Sequence, residues 1–199
     1  AGVDTGLVNV SDESCGILIA GLANVSYSRA GIIQVAGIFN ATRRMTGIQA
    51  AGIINVADRM SGIQAALVWN YAEVQVSGIQ ASLFNSAKSL QGMQVGAVNG
   101  VFQEAVGMQL ALICNYDGGR TQEGFDSLVQ VACLLNSAHG VSGGQVGLIN
   151  YAVRVRGFQI GVINWAKRMV GVQIGLVNVI EDNPLPFCPL VNFSTAMSL

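Results

Sequence analysis

Short apolar runs, broken by glycine and by two recurring amides, organise this chain. The unit is clearest as Gly47-Ile48-Gln49-Ala50-Ala51-Gly52-Ile53-Ile54-Asn55 and again as Gly157-Phe158-Gln159-Ile160-Gly161-Val162-Ile163-Asn164. Its asparagine recurs thirteen times, at Asn9, Asn24, Asn40, Asn55, Asn70, Asn85, Asn99, Asn115, Asn136, Asn150, Asn164, Asn178 and Asn192, at intervals of 14 to 16 residues with one interval of 21. Ten units place a glutamine five or six residues before the asparagine: Gln34, Gln49, Gln64, Gln80, Gln94, Gln109, Gln130, Gln145, Gln159 and Gln173. A short fixed period of this kind marks a stacked repeat architecture, in which function resides on a surface rather than in a pocket.

The residue types predict strands. Segments between glycine and asparagine are rich in Ile, Val, Leu and Phe, and glycine every few residues would cost a helix about 1 kcal/mol per site. At roughly 3.3 Å per residue, one unit makes one narrow solenoid coil of two longer strands or three short sides, the latter as 47–51, 52–56 and 57–61. Stacked coils bring equivalent residues about 4.8 Å apart, so the amides are expected to form ladders along the axis. The expected ladder residues are Asn40, Asn55, Asn70, Asn85, Asn99, Asn150, Asn164 and Asn178, with Gln49, Gln64, Gln80, Gln94, Gln145, Gln159 and Gln173. The fold expected is therefore an all-β, narrow β-solenoid of 12–13 coils over 1–199, a single domain. Residues 1–30 read as atypical capping coils, 116–127 as an inserted loop on the charged edge, and 181–199 as a C-terminal cap. The fall in coil length to 14 after the insertion is expected to remove a residue between Gln and Asn, whose separation drops from six to five.

A competing layout makes each unit one strand of an antiparallel transmembrane barrel. Identical units in antiparallel strands would put the glutamines at opposite rims and lose the ladders. No uncharged apolar run is long enough for a membrane-spanning helix, because Gly and Asn interrupt every one.

Composition changes the picture in one respect. The chain is 51% apolar but only 11% charged, against about 25% charged in ordinary soluble domains. Of its 21 charges, 16 lie three to six residues after a repeat asparagine, so one edge of the coil is charged and the rest is nearly charge-free. Strand residues alternate in direction, so many apolar side chains must face outward. A large contiguous apolar face implies a membrane or another protein against it. With a net charge of −1, nucleic acid is not the expected partner, because phosphate neutralisation needs a cationic excess.

Candidate chemistry is sparse. Gly140-Val141-Ser142-Gly143-Gly144 matches a nucleophile-elbow pattern, but that chemistry needs a strand-to-helix turn and a downstream histidine, whereas the sole histidine, His139, precedes the serine. No zinc-ligand spacing and no phosphate-cradling Gly-Lys-Ser/Thr run occurs. No catalytic residue, cofactor, metal or small-molecule substrate is expected. Cys15, Cys114, Cys133 and Cys188 lack paired spacing and read as small buried hydrophobes, with a Cys114–Cys133 bridge as the alternative.

Gly157 to Asn164 and Gly171-Val172-Gln173-Ile174-Gly175-Leu176-Val177-Asn178 resemble the repeat of an uncharacterised bacterial surface-repeat family, whose copies read Gly-aliphatic-Gln-aliphatic-Gly-aliphatic-aliphatic-Asn at about 14 residues. The ending Pro189-Leu190-Val191-Asn192-Phe193 is similar to that family's closing segment. The resemblance implies an exported protein of the bacterial envelope or surface and brings no activity with it. Together these readings point to a non-catalytic structural or interaction protein whose apolar face lies against membrane lipid. Arg43, Arg44, Arg59, Lys167 and Arg168 would meet anionic headgroups, Trp69 and Trp165 would sit near the interface, and Phe158 would lie within the face. The alternative occupant is a second copy of the chain, and a pore-forming barrel is the third reading.

Overall fold

The computed structural model describes residues 2–119 and 128–195. All regular structure among them is strand: β1 (Val3–Ser14), β2 (Ile17–Ala36), β3 (Phe39–Ala51), β4 (Ile54–Ala66), β5 (Trp69–Ala81), β6 (Phe84–Asp117), β7 (Leu128–Ala132), β8 (Leu135–Val146), β9 (Ile149–Ile160), β10 (Ile163–Ile180) and β11 (Phe187–Ser194). The chain forms two compact units, Ala1–Gly96 and Ala97–Leu199. Both are β-solenoids, and β6 runs through the boundary.

In the first unit each coil lies parallel to the next with like residues in register. Asn24, Asn40, Asn55, Asn70 and Asn85 follow one another, and so do Gln34, Gln49, Gln64, Gln80 and Gln94. In the second unit β8, β9 and β10 repeat the arrangement. This parallel order departs from the antiparallel neighbours of a transmembrane barrel. No helix among the described residues is long and apolar enough to cross a membrane.

Four residues of each coil point inward, which is why so short a unit suffices. In the coil from Ile54 they are Asn55, Ala57, Met60 and Gln64, all buried. One column is mainly alanine, as in Ala57, Ala72 and Ala87, with Thr42 in the same register. The facing column carries the bulk, as Met45, Met60, Val76 and Leu90, each no more than 2% exposed. The second unit is built alike from Ala138, Ala152 and Ala166 with Val141, Val155 and Met169.

Among the described residues coil length varies at two points of the coil. The β3–β4 and β4–β5 connections turn through two residues after Ala51 and Ala66, whereas β8–β9 and β9–β10 turn one residue sooner after the glutamine, at Gly147-Leu148 and Gly161-Val162. That is where the shorter coils lose the expected residue. Extra residues enter at the opposite corner, where the register shifts between Ser26 and Arg29, and between Ala57 and Arg59. The insertion falls at this corner too. Its first residues, Tyr116 and Asp117, still belong to β6, with Ser137 and Ala138 as partners. Most of the expected 116–127 loop, residues 120–127, lies outside the described residues.

The third corner of a coil is a glycine. Gly47, Gly62, Gly78 and Gly92 have φ between 119° and 140° and stack on one another, as do Gly143, Gly157 and Gly171 in the second unit. The register partner of Gly47 is Ile32, which is held at φ 74°. A β-branched residue in that region is strained by about 1–2 kcal/mol, more than the roughly 0.5–1 kcal/mol that glycine adds to the entropy cost of folding. Ile32→Gly is therefore expected to raise the thermal unfolding midpoint by a degree or more, about what a few tenths of a kcal/mol give in a chain of this size. A lowered midpoint would show that the Ile32 side chain, 55% exposed, contributes more than its backbone costs.

The chain ends differently from its interior. After Glu181 the backbone turns, and β11 runs antiparallel to β10 with Asn192 opposite Gln173. Asn192 is thus not a thirteenth ladder asparagine, and its spacing of 14 from Asn178 is coincidental. At the other end β1 and β2 are ordinary parallel coils, but Asp4 and Leu18 stand in register where later coils place glutamine.

Candidate functional site

The most regular arrangement among the described residues is the pair of amide columns and the outer surface they hold in register, and this is taken as the candidate site. In the first unit each asparagine from Asn9 to Asn70 donates from Nδ2 to Oδ1 of the next coil's asparagine at 2.9–3.1 Å. The second unit does the same from Asn99 through Asn115, Asn136, Asn150 and Asn164 to Asn178 at 2.8–3.0 Å. The step from Asn115 to Asn136 spans the insertion and keeps a 2.9 Å bond. Glutamines run the other way. Gln49, Gln64, Gln80 and Gln94 each donate to the preceding glutamine at 2.8–3.0 Å, and Gln130, Gln145, Gln159 and Gln173 do so at 2.7–2.8 Å.

The opposed directions have a physical consequence. Hydrogen-bonded amides polarise one another along a column, and two columns of opposite sense leave little net dipole along the coil axis. The asparagines, and several of the glutamines, also donate to the backbone. Asn55 donates to the Ala65 carbonyl farther along its own coil at 2.6 Å, and Gln173 reaches the Val179 carbonyl of the next coil at 3.0 Å. Neither the direction of the columns nor these cross-links is written in the repeat itself. The first glutamine has no predecessor in its column, because Leu18 holds that register position, and its Nε2 donates instead to Ser26 Oγ at 3.1 Å.

Around this interior the perimeter sorts by polarity. At the two-residue bend the first unit carries Ile38, Ile53, Val68 and Leu83, all exposed. Beside them on the strands lie Ile48, Ile63 and Ile79, then Trp69 and Phe84. In the second unit the bend carries Ile113, Leu134, Leu148, Val162 and Leu176, flanked by Phe158, Ile160, Val172 and Ile174. Gly144, in register with Phe158, leaves room for that ring, and a Cβ on it would come within 2.6 Å of three ring carbons. These stacked aliphatic columns form an exposed hydrophobic patch in each unit.

Charges gather at the opposite corner. Arg43, Arg44, Arg59, Lys167 and Arg168 are all exposed there. Arg168 meets Asp182 at 3.8 Å, and Arg29 meets Glu13 at 4.0 Å. Arg154 belongs to the same corner by sequence yet is 8% exposed; its register partner is Gly140, which leaves space above it. The indole N–H groups of Trp69 and Trp165 are already engaged, with Ser86 Oγ at 3.0 Å and Glu181 Oε1 at 2.7 Å.

The remaining candidates are scattered. His139 and Ser142 lie within β8, and among the described residues no three His, Cys, Asp or Glu side chains come together as a metal site. The four cysteines are unpaired, and Cys114 has Leu135 as its register partner rather than Cys133. Contrary to expectation none is buried: Cys15 and Cys133 are exposed, because they follow the inward-facing residues Ser14 and Ala132 and so point out. Asn24 and Asn40 each open an Asn-X-Ser/Thr glycosylation sequon, yet both are 0% exposed within the column.

No family model, curated protein or solved structure matches the chain. The fold and surface alone define its class, a β-solenoid repeat protein with buried Asn and Gln columns and an exposed apolar patch.

Proposed function

We propose that this is a non-catalytic structural protein that assembles with further copies of itself through the apolar face. The observation that carries the reading is the stacking of exposed Ile, Leu, Val and Phe in straight columns on the side of each coil away from the charges. Exposed apolar patches beyond a few hundred Å² mark interaction sites. Straight columns one strand apart are also self-complementary, since the ridges of one copy fit the furrows of another, as in steric zippers. Two features favour a protein partner over lipid. The cationic side chains gather at a different corner of the coil from the apolar bend, and both tryptophans use their N–H groups within the chain. Lipid-facing surfaces draw on both devices. The bacterial surface setting implied by the repeat's resemblance is compatible with such a building element and belongs to the proposal.

Paired substitutions on the face test it. Ile53→Asp with Ile63→Asp replaces two exposed side chains in adjacent coils and leaves both amide columns intact. Burying such carboxylates in an apolar contact costs several kcal/mol, so association is expected to weaken about a hundredfold or more. Arg43→Gln with Arg44→Gln should leave association unchanged. Flotation with phosphatidylglycerol and phosphatidylcholine vesicles supplies the other arm. Binding to neutral vesicles that is lost in the Ile53/Ile63 variant, with no self-association in its absence, would overturn the proposal in favour of lipid.

A further inference from the structure

The charged corner of the first unit carries a feature that the self-association reading leaves unused. Arg29, Arg44 and Arg59 occupy the same register position in three consecutive parallel coils, which places their backbones about 4.8 Å apart. Like charges directly opposite on neighbouring strands are destabilising. Nothing in the fold demands arginine there, because the next two coils place Gln75 and Ser89 at that position. Arg43 adds a fourth guanidinium beside Arg44, and Ser28, Arg29, Arg43, Arg44 and Glu13 line a shallow groove.

The acids of the corner, Asp12, Glu13, Asp58 and Glu73, match the four arginines in number, but they pair closely only at the first-coil end. Glu13 engages Arg29 at 4.0 Å, and Asp12 accepts from Ser28 Oγ at 3.0 Å, both at the first-coil end. Asp58 precedes Arg59 in sequence, yet among the described residues no acidic oxygen lies within 4.0 Å of Arg43, Arg44 or Arg59. Planar guanidinium forks suit phosphoryl oxygens, which they can hold in pairs. A ladder of them one strand apart suits a ligand with adjacent phosphoryl groups better than it suits a single ion.

We propose that Arg43, Arg44 and Arg59, with Arg29 at the rim, form a binding site for a ligand carrying two or more neighbouring phosphoryl groups. The site is separate from the apolar face and does not depend on what covers that face. Its source is either a soluble polyphosphate or a phospholipid headgroup array, and the chemistry of recognition is the same.

Titration of the full chain with tripolyphosphate at low ionic strength, read by calorimetry, tests this. Saturable binding is expected, tighter than for inorganic phosphate and weakened by added salt. Arg44→Gln with Arg59→Gln is expected to lower the affinity about a hundredfold, near tenfold per charge-assisted contact. The thermal midpoint should stay the same or rise, since glutamine already stands at this register in Gln75. Glu13→Gln should tighten binding by releasing Arg29, and Lys88→Gln, farther along the same corner, should change it less than about twofold. Phosphatidylglycerol vesicles then distinguish the sources. Binding to them that tripolyphosphate displaces identifies headgroups, and tripolyphosphate binding without vesicle binding identifies a soluble polyanion. Absence of saturable binding to either ligand, or binding that the Arg44/Arg59 double variant retains, would overturn the proposal.

Discussion

Replacing Gly78 by alanine is expected to unfold the first unit or to prevent its folding. Gly78 has φ 139°, and an added Cβ would lie 2.0 Å from the Gly62 carbonyl oxygen. The backbone region alone costs an alanine about 1–3 kcal/mol. Relieving the overlap moves two coils that share both amide columns and adds a further 1–3 kcal/mol or so. Against a typical total of about 5–15 kcal/mol, that loss is large enough to show as a collapsed thermal midpoint or as insoluble protein. Gly31→Ala is the control. Its φ is ordinary and the nearest atoms to its Cβ stand at 3.7 and 3.8 Å, so alanine there is expected to be neutral or to stabilise by up to about 1 kcal/mol. Equal effects at the two sites would show that the stacked glycine corner is not the constraint.

The amide columns should give the second large effect, and with an internal order. Asn55→Leu deprives three buried groups of a partner: one Asn40 N–H, whose companion keeps its bond to the Ala50 carbonyl, Asn70 Oδ1 and the Ala65 carbonyl. Gln64→Leu strands only two principal ones, Gln49 Oε1 and Gln80 Nε2. At about 1–3 kcal/mol for each buried orphan, Asn55→Leu is expected to cost on the order of 3 kcal/mol or more and Gln64→Leu correspondingly less. Chemical denaturation of the two variants gives both numbers. The chain already carries the lesser change at Leu18, which stands in the glutamine register, and there Ser26 supplies the acceptor that Gln34 would otherwise lack. A Gln64→Leu variant that loses more than Asn55→Leu would contradict this arrangement of bonds.

Much of this interior was legible in the sequence for a physical reason. A buried amide must find partners, and an amide repeated at one coil length finds them in its own copies, so Asn55 and Gln64 announced both the period and the inward face. The charged corner was legible in the same way, from the offset of Arg44 and Arg59 after their asparagines. Other features left no such mark. Ala57 and Met60 are core while Ile53 and Ile63 are surface, and with half the chain apolar nothing in residue type separates them. The glycine before each Ile-Gln pair opens one side of the expected three-sided coil, but its positive φ, and the strain at Ile32 in the same position, are not written in the repeat. Asn192 kept the spacing of the repeat but not its direction, because reversal of the chain after Glu181 is set by Asn183-Pro184 and Pro186 rather than by the period. Arg154 carried the offset of a solvent-facing corner residue, and its burial depends on Gly140 in the neighbouring coil, a pairing that appears only once the register is known.

The claim that the apolar columns bind further copies of the chain bears most directly on function, and sedimentation equilibrium without detergent tests it over a wide range of protein concentration. The 20.7 kDa chain is expected to show a mass that rises with concentration to at least twice the monomer, and to return to the monomer when Ile53 and Ile63 are both aspartate. A native chain that stays monomeric and soluble throughout the range would contradict the account.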